Sequence, residues 1–260
     1  MSSFISSLRS EWLKKKRSLA SWMVIIGAMF VPVIIILARL IYSDQMLKIY
    51  ESQKFWNKLW ANSWQATAIF LLPLGSIMAT SLVTQLEYKN NAWKQLHAAP
   101  IGYTTLFFSK LLVIAVMLLQ FFILFNIAIY LSAIIPRLFV SGVPFPTAPF
   151  PFTYFLREDL LYFVDTLPII GLQYLLSLHY KNFLVSFGAG IILWIGAVGA
   201  INWRFGYFIP YTYPMLHYVS SEMPSKGAAP PMNIHAMAVG YFVLFLIVGF
   251  VLYRTKSDKS

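Results

Sequence analysis

The stretch Leu19–Tyr42, LASWMVIIGAMFVPVIIILARLIY, carries one charged side chain, Arg39, in 24 residues. A helix rises about 1.5 Å per residue, so about 20 apolar residues cross a hydrocarbon core roughly 30 Å thick. This run is long enough. A secretory signal has a shorter apolar core, about 7–15 residues, followed by a small-x-small cleavage site. Neither holds here, so the Lys14-Lys15-Lys16-Arg17 cluster ahead of the run flanks a retained span.

Five more apolar runs follow, at Trp64–Leu86, Leu106–Ile135, Leu160–His179, Phe183–Trp203 and Ala236–Tyr253. The third exceeds what a span needs, which places its first turn or two outside the core. Asp165 and Pro168 interrupt the fourth, and a re-entrant segment there would reduce the count to four or five. Composition agrees with the pattern: 59% of the 260 residues are hydrophobic and 11% charged, against about 25% charged in soluble domains. The reading is an all-α integral membrane protein, a single domain over 1–260 with six transmembrane helices.

The net charge of +11 does not indicate nucleic acid, because the basic residues sit at the ends of apolar runs. With both termini inside, twelve Lys and Arg fall on the inner side and seven on the outer, Arg39 lying within the first run. Basic excess marks the cytoplasmic side, so cytoplasmic termini are expected, in a cytoplasmic membrane. Arg39 lies close enough to the outer end of its span to snorkel.

Phe4, Ile5, Leu8 and Trp12 recur at helical spacing, with Ser6, Ser7, Arg9, Ser10 and Lys14 largely opposite. Such a segment reads as an interfacial elbow helix, apolar side toward lipid, or as a frayed polar leader. Between the second and third runs lies Glu87-Tyr88-Lys89-Asn90-Asn91-Ala92-Trp93-Lys94-Gln95-Leu96-His97-Ala98-Ala99-Pro100. Asn90 or Asn91 can cap a short helix and Pro100 ends it. Trp93 and Leu96 share one side of that helix, exposed to the membrane surface or to another protein.

That loop, with Ser10-Glu11-Trp12-Leu13-Lys14-Lys15-Lys16-Arg17-Ser18 leading into a span that contains Trp22 and Pro32, resembles the ABC type-2 transporter permeases. It is similar in particular to the six-span bacterial branch that includes lantibiotic-immunity permeases, and the likeness extends over effectively the whole chain. Ala92 departs from the Thr or Ser frequent in that family. The resemblance implies a permease subunit of an ATP-binding-cassette exporter, with the loop as a short cytoplasmic coupling helix seated in a separate ATPase subunit. Glu87, Asn90, Asn91, Trp93, Lys94 and Leu96 would carry that contact. The loop His179-Tyr180-Lys181-Asn182 would make a second, smaller one. A second permease subunit, identical or a sibling, would complete the pathway. Independently, the sequence holds no G-x-x-x-x-G-K-[ST] phosphate loop, so energy must come from another chain or an ion gradient.

Polar residues within the runs are costly in lipid and therefore candidates for a pathway: Gln120, Asn126, Asp165, Gln173 and Asn202. Asp165 would pair with Arg157, Arg137 or Arg204, or contact substrate. Gly188, Gly190, Gly196, Gly199 and Ala200 suit close helix packing. The outer connections are rich in proline (136–151) and in proline and aromatics (203–235). The second of these reads as an interfacial loop or, by the resemblance, as short re-entrant helices. No catalytic constellation appears, no cofactor is implied, and no metal site is expected. The four histidines show no H-x-x-x-H pair, and cysteine is absent. A stand-alone secondary carrier and a membrane assembly protein are the competing readings.

Overall fold

A computed structural model describes residues 2–16, 18–42, 49–89, 102–140, 145–180, 182–222 and 231–257. Among them there is no strand, as lipid requires: a chain crossing hydrocarbon must satisfy its backbone internally, and a helix does so within one segment. The helices are α1 (Ser2–Lys16), α2 (Leu19–Ile41), α3 (Phe55–Ala66), α4 (Leu72–Lys89), α5 (Tyr103–Phe139), α6 (Phe152–His179), α7 (Phe183–Ala200), α8 (Tyr213–Glu222) and α9 (Ile234–Ser257). A π-helical turn, Thr67–Leu71, joins α3 to α4 without a break. Among the described residues, six helical stretches are long and apolar enough to cross a membrane: α2, α3 through α4, α5, α6, α7 and α9.

The outer helices differ from the inner ones. α2, α7 and α9 keep little of their surface inside the protein, whereas α3–α4, α5 and α6 are about half enclosed. Ile26, Leu184, Ile192 and Ile247 are all well exposed, a distribution that suits hydrocarbon and not water. α6 is central, packing most extensively on α9 and then on α4, while α2 lies along α5. An aromatic column fills the interior. Trp64 stacks on Tyr162 with ring centroids 3.7 Å apart, and Tyr162 stacks in turn on His217 at 4.2 Å.

Pro32, Pro136 and Pro168 lie well inside helices, each unable to donate to the carbonyl four residues earlier. Pro136 leaves Ser132 O open, and Arg39 Nη1 takes that carbonyl at 2.9 Å. Arg39 also lies 3.3 Å from the Tyr50 hydroxyl, which itself donates to Ala133 O at 2.6 Å. Arg39 is therefore held by the end of α5, a correction to the expectation that it simply snorkels. The orphaned carbonyl supplies the reason.

α1 carries a polar stripe that the helical-wheel reading did not single out. Its buried side chains are Ser7, Glu11 and Lys15, a polar stripe at i, i+4 and i+8, while Ile5 and Leu13 face outward. Ser7 shares a hydrogen bond with Ser109 (3.0 Å), Glu11 pairs with Lys110 (3.0 Å), and Lys15 Nζ donates to Gln120 Oε1 (2.5 Å). These contacts advance in the same sense along both helices, so α1 runs beside the first half of α5. Burial lowers the Lys15 pKa. At the junction with α2, the Ser18 and Ser21 hydroxyls both donate to Lys15 O.

Gly190 shows where α7 approaches most closely. A Cβ there would lie 2.6 Å from Ile77 Cγ2 and press on Gln173 Oε1. At Gly188, Gly196 and Gly199 nothing lies within 4 Å, so among these glycines only Gly190 packs within the chain. Gly190→Ala should destabilise by about 1–3 kcal/mol through overpacking. Gly188→Ala is the matched control, and denaturant midpoints in micelles compare the two; equal midpoints would show that the close approach does not matter.

Candidate functional site

Of the residues assigned to the coupling loop, Glu87 falls on α4. Its side chain, with Asn90, Asn91, Trp93, Lys94 and Leu96, lies outside the described residues. The neighbourhood of the loop is visible. Gln85 Nε2 donates to Tyr180 O at 2.8 Å, which sets the end of α4 against the turn between α6 and α7. Asn182 opens α7 as its cap, accepting from Leu184 N at 2.9 Å.

The five polar residues of the runs do not converge on one site. Gln173 is fully buried and its amide is committed. Nε2 donates to Ser81 Oγ (2.7 Å) and Ser186 O (2.9 Å), and Oε1 accepts from the Tyr211 hydroxyl at 3.3 Å. Ser177 closes the group by a 2.6 Å hydrogen bond with Ser186. This is a knot joining α4, α6 and α7. Asn126 Nδ2 donates to Asp159 Oδ2 at 2.6 Å, a partner that sequence reasoning did not single out. Gln120 accepts from Lys15 as described. Asn202 does not lie on the fifth helix: α7 ends at Ala200, and Asn202 is exposed in the turn that follows.

Asp165 is the centre of the most organised group. α6 runs unbroken through Asp165 and Pro168, so neither residue interrupts it. Asp165 is fully buried, and its partners are two histidines, not an arginine. Oδ2 lies 2.8 Å from His217 Nδ1 and Oδ1 lies 2.7 Å from His235 Nδ1. The other His217 nitrogen, Nε2, lies 3.0 Å from Glu158 Oε2. Glu158 and Asp165 stand seven residues apart, two turns along one face of α6. His217 comes from α8 and His235 from the first turn of α9. Burial alone would lower the His217 pKa, but the hydrogen bonds and charges of Asp165 and Glu158 outweigh it and hold it at about 9. At neutral pH, with no other cation present, His217 donates from both nitrogens. Nearby, the Tyr154 hydroxyl donates to Glu222 Oε1 at 2.9 Å, and burial raises the Glu222 pKa.

The histidines were invisible as a pair because spacing rules for such residues apply along one helix. These two are 18 positions apart on different elements. The signal that could have found them was the cost of Asp165 itself, a buried charge that must be paired.

The family described as ABC-2 family transporter protein matches residues 7–197 of the chain. The chain belongs to that family. It is a multi-pass membrane protein and a permease subunit of an ABC transporter, a class that works with an ATPase partner. The match to the ABC-2 family takes in α1 from Ser7 through most of α7, and so includes Glu158, Asp165 and Gln173. His217 and His235 lie beyond it. Among curated proteins, none matches this ABC-2 chain significantly.

Proposed function

We propose that this ABC-2 permease exports an amphipathic or apolar cargo across the cytoplasmic membrane, driven by a separate ATPase that docks on the 87–100 loop. The family match carries the reading. Two observations support it. The chain has no phosphate loop of its own, and the Gln85–Tyr180 hydrogen bond sets the start of that loop beside the α6–α7 turn, so both cytoplasmic contacts would face one ATPase. Glu87, Asn90, Asn91, Trp93, Lys94 and Leu96 would form the seat, and a second permease, identical or a sibling, would complete the pathway. Both termini would be cytoplasmic.

Along α5, Gln120 and Ile123 line one open groove of about 370 Å³. Ile123 and Asn126 line the next, of about 340 Å³. That stripe, mostly apolar with two half-buried amides bonded to Lys15 and Asp159, is the surface we assign to cargo.

Trp93→Ala should cost at least tenfold in ATPase co-purification and in transport, as loss of an aromatic anchor worth about 2 kcal/mol or more does at an interface. Wild-type retention of the ATPase by this variant would remove the docking assignment. Transport that survives ATP depletion and collapses with an ionophore would replace the whole reading with a secondary carrier.

A further inference from the structure

Two imidazole nitrogens, His217 Nδ1 and His235 Nδ1, point at the two oxygens of one buried carboxylate, at 2.8 and 2.7 Å. A carboxylate oxygen and an imidazole nitrogen sit this close only when a proton lies between them, and a divalent cation can take that proton's place. The three ligand atoms lie within 4.8 Å of one another, and the remaining features are those of a metal centre. Glu158 holds the far nitrogen of His217 at 3.0 Å; as an acceptor it keeps the proton on Nε2, so that an ion displacing the Nδ1 proton would meet the Nδ1 lone pair on the Asp165 side. A carboxylate behind a histidine is the usual outer support of a zinc ligand. Tyr162, stacked on His217 at 4.2 Å, fixes the plane of the ring. Asp165 is wholly enclosed, but the His235 side chain is 29% exposed, so one side of the group is open to an incoming ion.

We propose that Asp165, His217 and His235 form a binding site for a divalent transition metal ion of the zinc type, with Glu158 as the residue that orients His217. Two nitrogens and one oxygen suit Zn2+. A fourth, open position on the His235 side would take water or a further ligand. Binding needs the hydrogen-bonded N–O pairs to open slightly and the widest pair, within 4.8 Å, to close, because ligands about 2.0–2.1 Å from zinc stand roughly 3.3 Å apart. The ion would clasp α6, α8 and α9, three segments otherwise far apart in the chain.

The test uses the full chain without a polyhistidine tag, purified in micelles and stripped with a chelator, then titrated with Co2+ and with Zn2+. One Co2+ per chain should produce the visible absorption of a four-coordinate ion, and Zn2+ should displace it. His235→Gln, at the accessible edge of the group, should keep the fold by circular dichroism and lose that signal. Glu158→Gln should keep the signal with affinity reduced about 10–100-fold, the usual effect of removing an outer-shell partner. A chain that takes up no stoichiometric Co2+ overturns the proposal. So does a folded His235→Gln variant that binds as the wild type does, and so does a Glu158→Gln variant of unchanged affinity.

Discussion

Glu11→Ala should destabilise the protein by about 3–5 kcal/mol, the usual cost of removing one partner from a buried ion pair. Glu11 and Lys110 are each only 3% exposed and lie 3.0 Å apart, so water does not screen them. Lys14, the other partner of Glu11, is 31% exposed and can turn outward when the carboxylate is gone. Lys110 sits in the second turn of α5 and has no such freedom. The pairing itself is tested by the double variant Glu11→Leu, Lys110→Met. Replacing a buried pair by apolar groups of similar size is often neutral or favourable, so the double variant should recover most of the loss. If it unfolds at the same denaturant concentration as Glu11→Ala, the loss does not come from the pair.

Asp165→Ala should have a loss of the same order, about 3–5 kcal/mol, for a related reason. The carboxylate answers two imidazoles at once, and its removal leaves the His217 ring with the Glu158 hydrogen bond and the Tyr162 stack. The effect should be uneven: α8 and the first turn of α9 hydrogen-bond Asp165, whereas among the described residues α2 and α5 make no hydrogen bond or ion pair with it. Hydrogen exchange should therefore rise first in 213–222 and 234–238, before any change in α5. Asp165→Asn keeps one acceptor oxygen and should fall between alanine and the wild type. Uniform acceleration across all helices would show that Asp165 supports the whole bundle and not that corner.

The helices themselves were legible because spanning a membrane is a requirement of length and oiliness, and both are written directly in sequence. Their extents were less so. The helix expected from Trp64 begins at Phe55, because Asn57, Lys58 and Asn62 dilute its first turns without breaking them. α6 begins at Phe152, eight residues before the apolar run; Arg157, Glu158 and Asp159 mask its start, yet Glu158 and Asp159 find partners in His217 and Asn126. The enclosed stripe of α1 escaped the helical wheel for a deeper reason. The amphipathic rule hides apolar side chains from water, but where the surroundings are lipid it is Ser7, Glu11 and Lys15 that must be enclosed. Gln173 and Asp165 could be recognised as costly, but not which hydroxyls or imidazoles would answer them, since those arrive from helices distant in sequence.

The polar stripe of α1 sets an order of events during biosynthesis. Ser7 and Ser109 stand 102 residues apart, and a ribosome adds about 5–20 residues per second. The N-terminal helix therefore emerges on the order of 5–20 s before the segment that will cover its serine, glutamate and lysine. During that interval the stripe must stay hydrated at the bilayer surface, with Ile5 and Leu13 toward the lipid. The nascent chain thus holds its first helix in reserve until the third span has been inserted, and only then can the amino terminus be locked in place.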